Sequence, residues 1–290
     1  VGLKFGLRYA SLGRYGHGPA AVELAQAAEE AGFDSIWTVE HVVIPKAYGS
    51  KYPYSADGRM GAIEDIPIAD PLIWMAYVAS ATRTIKLGTA ILIVPQRNPV
   101  VTAKALATLD DMAGGDRVLL GIGVGWLEEE FDAIGVPFGD RGPRTDDYVG
   151  AMRALWSQDC ATYEGEFVSF RDIYCRPKPA GGRIPIIVGG DTKAAARRAG
   201  RLGDGYFPAR GNPTELYDEM RRAAEAAGRD PDTIEITAAA PVDLDELASL
   251  AATGVHRVMV PVNGAAGLPP QVRTPEEVLE YGKRVIERFA

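Results

Sequence analysis

IPIIVGGDTKAAARRAGRLGDGYF, running from Ile184 to Phe207, is the stretch on which the fold turns. Ile184–Val188 is a short apolar run of strand length. Gly189-Gly190 breaks it, and Asp191-Thr192 offers a helix N-cap ahead of the alanine-rich residues 193–202. Gly203 closes the helix, and Gly205–Phe207 is apolar again. A strand, a crossover helix and a second strand make a βαβ unit, and such units build parallel sheets.

The same rhythm extends in both directions. Strands are expected at Leu3–Leu7, Ser35–Thr38, Lys86–Ile93, Val118–Ile122, Ile184–Val188, Gly205–Phe207, Ile234–Ala238 and Arg257–Val260. Helices are expected near 19–31, 70–82, 98–113, 126–134 with 143–157, 191–202, 212–227, 243–252 and 275–289. Asp70-Pro71, Asn98-Pro99 and Asn212-Pro213 each place a cap before a proline, and Thr274-Pro275-Glu276-Glu277 reads as a capping box. Gly32, Gly203, Gly228 and Gly254 stand where left-handed C-caps belong. Eight strand-helix units in 290 residues fit a closed α/β barrel, the (β/α)8 TIM barrel, better than an open doubly wound sheet.

Two segments exceed the minimal barrel and give insertions after strands 2 and 4. Residues 42–69 are rich in Pro, Gly, Tyr and Asp without a helical period. Residues 160–183 read as a hairpin around Glu164-Gly165-Glu166. Long loops are where barrels build their sites. No linker splits the chain, so residues 1–290 are expected to form one domain.

With 47% apolar residues the chain can bury a large core without staples. Its net charge of −8 argues against nucleic acid or an anionic membrane as partner. Cys160 and Cys175 are not spaced as a metal site, and two thiols in a chain this long suggest no disulfide scaffold, so both are expected as free thiols. The opening Val1-Gly2-Leu3-Lys4-Phe5 has no signal-peptide character, and the longest aliphatic run, Ala90–Val94, is far too short to span a bilayer. A cytoplasmic setting is expected.

In a barrel, functional groups gather at the C-terminal ends of the strands. That filter selects Tyr9, Glu40-His41, Gln96-Arg97-Asn98, Gly123-Val124-Gly125-Trp126, Gly189-Gly190-Asp191-Thr192, Arg210 and Asn263. Gly189–Thr192 reads either as a cradle for one phosphate at a helix N-terminus or as an ordinary capped turn. His41 is suited to proton transfer near neutral pH, with Glu40 beside it. His256, at the start of the last strand, reads as structural. Glu128-Glu129-Glu130 reads as dipole complementation and a solvated helix start. No metal site is expected, since His-x-His, His-Glu-x-x-His and Cys-x-x-Cys are all missing, and no Gly-x-Ser-x-Gly marks a serine nucleophile.

These residues together resemble the luciferase-like monooxygenase superfamily. The resemblance is carried by Phe33-Asp34-Ser35-Ile36-Trp37 with Glu40-His41, and by Lys86-Leu87-Gly88-Thr89-Ala90-Ile91 with Asn98-Pro99. It continues in Gly115-Asp116-Arg117, Leu120–Trp126, Gly189-Gly190, Arg198-Ala199-Gly200 and Gly203–Tyr206. Glu40–Pro45 and Trp126–Phe131 before Gly135-Val136-Pro137 are most similar to the coenzyme F420-dependent oxidoreductases of actinobacterial type. The resemblance implies hydride transfer between the deazaflavin F420 and a small substrate; the alternative is an FMN-dependent monooxygenase fed by a separate reductase. It implies a non-proline cis peptide at Ala90-Ile91 behind the deazaflavin ring, and a cofactor phosphate on Gly189, Gly190, Asp191 and Thr192. It implies that Glu40 contacts the ring system, that His41 is the proton donor or acceptor, and that Trp126 lines the substrate side; the strand-end filter adds Tyr9 there. A homodimer is implied as well. One departure matters. The sugar-phosphate dehydrogenases of the family have tryptophan and glutamate where this chain has Pro45 and Trp126, which implies an apolar carbonyl, enone or imine instead.

Overall fold

The computed structural model describes residues 2–61, 65–208, 213–265 and 269–289. Its strands are β1 (Lys4–Arg8), β2 (Ser35–Thr38), β3 (Lys86–Thr89), β4 (Leu92–Ile93), β5 (Val118–Gly123), β6 (Ala161–Glu164), β7 (Ser169–Ile173), β8 (Ile186–Gly189), β9 (Gly205–Phe207), β10 (Glu235–Ala239) and β11 (Arg257–Pro261). Its helices are α1 (Gly18–Glu30), α2 (Pro71–Ala79), α3 (Pro99–Met112), α4 (Glu128–Ala133), α5 (Arg141–Ser157), α6 (Lys193–Leu202), α7 (Pro213–Ala226), α8 (Leu247–Ala252) and α9 (Pro275–Arg284). All strands except β6 and β7 join one parallel sheet, which closes through β1–β11 and β3–β5. β3 and β4 are halves of one stave, so the nine strands of this sheet make eight staves, as the alternation required.

The break between those halves is a counted one. Gly88 pairs with Leu119 and Leu92 with Ile122, so four steps on one strand span three on its neighbour. The extra residue makes a bulge at 89–91, a device that redirects side chains at the rim of a barrel. The expected cis peptide Ala90-Ile91 lies within it.

The barrel interior is filled unequally. Trp37 is fully buried on β2, and a Cβ at Gly6 or Gly88 would come within 2.7 or 2.3 Å of its ring. One large side chain thus takes the space of several small ones, and its indole N–H donates to Ser35 Oγ at 2.8 Å. At the N-terminal end, buried Arg257 pairs with Asp34 at 3.0 Å and also with Glu235. His256 Nδ1 accepts the Ile236 amide at 3.0 Å, which is the structural role expected for it.

Asp70, Asn98 and Thr274 cap their helices as read from the sequence. The Glu277 carboxylate accepts the amide of Arg273, one residue before the cap, so the box is displaced by one position. Asn212 lies outside the described residues. Gly32, Gly228 and Gly254 are left-handed, but Gly203 is extended (φ −77°). Its glycine serves close packing, because a Cβ there would stand 2.9 Å from the carbonyls of Ala199 and Gly205.

The hairpin β6–β7 is present, with Tyr163 opposite Phe170. It follows α5 rather than a barrel strand and packs along that helix, with Asp147 accepting the amides of Phe167 and Val168 at 2.7 and 3.2 Å. The insertion at 42–69, by contrast, follows β2 directly and reaches the mouth of the barrel. Cys160 is exposed and Cys175 buried, both as free thiols. Among the described residues no helix is long and apolar enough to cross a membrane.

Glu29 at the end of α1 ties this helix to the loop before β3. It accepts the amides of Arg83, Thr84 and Ile85 at 2.8, 2.6 and 2.9 Å. Burial alone would raise its carboxyl, but those amides and the Thr84 hydroxyl bring it down to about 2. A depressed carboxylate contributes stability above its unfolded pKa and loses it as pH falls toward the folded value. Allowing for solvent screening at this partly exposed site, the contribution is roughly 1–2 kcal/mol. Urea unfolding should therefore show Glu29→Gln less stable by that amount at pH 7, with the gap narrowing toward pH 3. A gap independent of pH would assign the loss to something other than the charge.

Candidate active site

A cavity of about 920 Å³ opens at the C-terminal end of the barrel. Tyr9, Glu40, His41, Ala90, Ile91, Trp126, Gly189, Gly190, Asp191 and Thr192 all line it. The residues assigned catalytic, cofactor or substrate roles from the sequence therefore border one space. The strand-end filter was less exact for the others. Gln96, Arg97, Asn98 and Asn263 do not line the cavity, and Arg210 lies outside the described residues.

The floor is the bulge. Ile91 is seated against two glycines: a Cβ on Gly123 would fall 1.7 Å from its Cδ1, and one on Gly189 would fall 2.6 Å from its Cγ2. These glycines make room for a protein side chain, a purpose distinct from letting a ligand approach the backbone. Below them Gly121 lets the Thr89 carbonyl through, since a Cβ there would stand 1.8 Å from that oxygen.

Glu40 forms one wall. It is 5% exposed, accepts the Ile93 amide at 2.5 Å and receives Arg97 Nε at 2.7 Å. Arg97 reaches on to Asp70 at 2.7 Å, so the arginine excluded from the cavity supports the carboxylate within it. Burial is the main influence on Glu40 and raises its pKa, with the Arg97 charge opposing.

His41 stands beside it. Its Nδ1 lies 3.1 Å from Glu130 Oε2, and Glu130 Oε1 accepts the amides of Val42 and Val43 at 2.5 and 3.3 Å. Glu130 is fully buried. The reading of Glu128-Glu129-Glu130 as a solvated run is therefore corrected: Glu130 faces inward, and only Glu128 is exposed. Glu129 accepts the amides of Gly49 and Ser50 at 2.5 and 3.2 Å, while Ser50 Oγ caps the Glu128 amide at 3.0 Å. Burial acts to raise the Glu129 carboxyl, and the Ser50 hydroxyl with those amides overrides it, to about 2.

The insertion so anchored forms an aromatic roof. Tyr52 and Tyr48 meet Trp126 edge-on at 5.1 and 5.6 Å between centroids, and Tyr54 meets Tyr52 at 5.4 Å. Lys51, Tyr52 and Tyr54 line the cavity, and Arg59 lies over Tyr48 from outside. Tyr9 is left-handed (φ 65°), and its carbonyl is held by Asn263 Nδ2 at 2.8 Å, which gives Asn263 a supporting role.

At the far end lies the start of α6. Thr192 is its N-cap, with Oγ1 accepting the Ala195 amide at 3.1 Å, so the capped-turn reading holds for this side chain. The hydroxyl proton stays available to an anion, as do the first-turn amides that no helix carbonyl can reach. Gly190 (φ 127°) is held from below, its amide by the Phe207 carbonyl at 3.2 Å and its carbonyl by the Tyr206 hydroxyl at 3.0 Å. Arg141 and Arg198 also line this end, where α5 begins. Arg8, Lys51, Arg141 and Arg198 were not anticipated. Arg8 could have been, because it follows Gly6 at the inward period of β1.

Comparison with known proteins adds a lineage to this geometry. The family description "luciferase-like monooxygenase" matches residues 8–285. An uncharacterised protein of Mycobacterium tuberculosis is 32% identical, over 94% of each chain. A Kineococcus radiotolerans protein named F420-dependent glucose-6-phosphate dehydrogenase is 35% identical, over 84% of this chain and 69% of its own. Among solved structures, an F420-dependent secondary alcohol dehydrogenase superposes with a TM-score of 0.76 at 18% identity, over 100% of this chain and 98% of its own. A monooxygenase from Streptomyces bottropensis superposes at 0.72 and 23% identity, over 99% and 100%.

Proposed function

The chain belongs to the luciferase-like monooxygenase family of oxidoreductases, and from that premise we propose that it passes a hydride between coenzyme F420 and a small, largely apolar substrate. The observation that carries this reading is the convergence on one cavity of His41, the apolar bulge at Ala90-Ile91 and the N-terminus of α6. A deazaflavin phosphate fits these residues. The first-turn amides of α6 with Gly189, Gly190, Asp191 and Thr192 would hold the phosphate, aided by Arg141 and Arg198. Ala90 and Ile91 would support the ring system, and Glu40 would meet its edge.

When bound, the deazaflavin supplies a carbon that gives or takes hydride. The protein's own work is to align the substrate carbon with it and to move one proton. His41 does the second at the cavity wall. Trp126, Tyr52 and Tyr9 bind the substrate against apolar surface and exclude water, which favours a carbonyl, enone or imine, or the corresponding alcohol or amine. Glucose 6-phosphate is not carried over from the relatives of that name, since Trp126 and Tyr52 give the cavity an aromatic roof on the substrate side.

Titrating apoprotein with F420 and with FMN, followed by tryptophan fluorescence, tests the cofactor. Micromolar binding of F420 with clearly weaker FMN binding is expected; preferential FMN binding would replace the proposal with the monooxygenase reading. A homodimer belongs to the same proposal. α2 exposes Ile73 (73%) and Tyr77 (50%), and its neighbour α3 exposes Val101 (67%), an apolar face suited to a second copy. Light scattering should give twice the chain mass, falling to a monomer in Ile73→Glu/Val101→Glu. A monomeric wild type would end that part of the proposal.

A further inference from the structure

The contact between His41 and Glu130 says more than that a histidine has a partner. Glu130 comes from α4, 89 residues away in sequence, and is fully buried. Its two oxygens have separate tasks: Oε1 takes the Val42 and Val43 amides, and Oε2 faces His41 Nδ1. A carboxylate offers only acceptors, so the ring nitrogen facing it must carry the proton. Nε2 has no hydrogen-bond partner among the described residues, and His41 lines the cavity.

We propose that Glu130 is a positioning residue that fixes His41 as the Nδ1–H tautomer, so that the neutral ring presents a lone pair on Nε2 to the substrate. This rests on the reading of His41 as the proton-transfer residue. In the oxidising direction the substrate C–H electron pair leaves as hydride to oxidised deazaflavin. The substrate O–H proton passes to Nε2, and C–O becomes C=O. The imidazolium so formed is then faced by the Glu130 carboxylate. In reduction the same imidazolium returns the proton. The substrate this arrangement serves is an alcohol–carbonyl pair whose oxygen reaches Nε2, with its remaining bulk under the aromatic roof.

Glu130→Gln gives a directional prediction. The Val42 amide, 2.5 Å from Oε1, requires the glutamine oxygen on its side. The NH2 must then point at Nδ1 and donate, which moves the ring proton to Nε2. Nitrogen-15 NMR of histidine-labelled apoprotein reads the tautomer directly, and the chain has only three histidines to assign. At a pH where the ring is neutral, wild type should show His41 as Nδ1–H and Glu130→Gln as Nε2–H. Alcohol oxidation should fall roughly 100-fold or more in the variant, with F420 affinity close to wild type. Wild-type His41 found as Nε2–H would overturn the proposal, with no variant needed. A wild-type Nδ1–H tautomer combined with full activity in His41→Ala would instead refute the proton-transfer reading and leave the positioning geometry intact.

Discussion

Replacing His41 by alanine is expected to lower turnover by roughly 10²–10⁴-fold, the usual worth of a placed general acid or base, while F420 binds almost as tightly as before. The two quantities separate because of where the groups sit. The residues proposed to hold the cofactor are Glu40, the bulge, Gly189–Thr192 with the start of α6, Arg141 and Arg198, whereas the side-chain hydrogen bond of His41 is with Glu130. Its ring meets Trp126 only at an edge, 6.1 Å between centroids, so its loss leaves the roof in contact with Glu130 through Val42 and Val43. Steady-state kinetics on alcohols, ketones and enones, run beside a fluorescence titration, decide the matter. A variant with wild-type turnover removes His41 from the chemistry. Turnover and F420 affinity lost together would place it in cofactor binding.

Gly121→Ala is the second large effect, and it falls on stability. The added methyl would stand 1.8 Å from the Thr89 carbonyl oxygen, whose position is fixed by backbone on both sides. Thr89 Oγ1 in turn donates to the Gly121 carbonyl at 2.7 Å, so the two residues are held together from both directions. No rotamer can relieve such a contact; β3 and β5 must part where they close the sheet. A loss of about 4 kcal/mol or more follows, at the severe end for a single substitution, or roughly 10 °C in Tm for a chain of this size. Gly139→Ala is the control, because nothing lies within 4 Å of the Cβ it would add. Equal melting temperatures for the two variants would mean that the strands are not packed this closely in solution.

The sequence was informative wherever the signal was local and periodic. Apolar runs, caps and prolines located the staves and helices, and the strand-end rule brought Tyr9, Glu40, His41, Trp126 and Gly189–Thr192 to one cavity. Long-range pairing was not legible. Glu130 sits in an acidic triplet at a helix start, where nearby residues explain a carboxylate well enough; only the fold shows its side chain buried against His41. Gly203 shows the same limit on a smaller scale. A glycine after a helix reads as a left-handed cap, and the carbonyls that exclude a side chain there become visible only in three dimensions. The hairpin was foreseen as an element but not in its placement along α5.

The first part of the insertion over the cavity is gripped at two points through main-chain amides, those of Val42 and Val43 by Glu130 and those of Gly49 and Ser50 by Glu129. Every residue except proline offers such an amide. The points of attachment are therefore nearly indifferent to the side chains they hold, whereas Lys51, Tyr52 and Tyr54, just beyond, line the cavity. A lineage can exchange those three without loosening the fastening, and mutations that retune what is recognised need not disturb the His41–Glu130 contact below. Substrate preference can diverge quickly on such a scaffold while the chemistry stays where it is. Libraries restricted to positions 51–54 should be a productive place to look for new preferences.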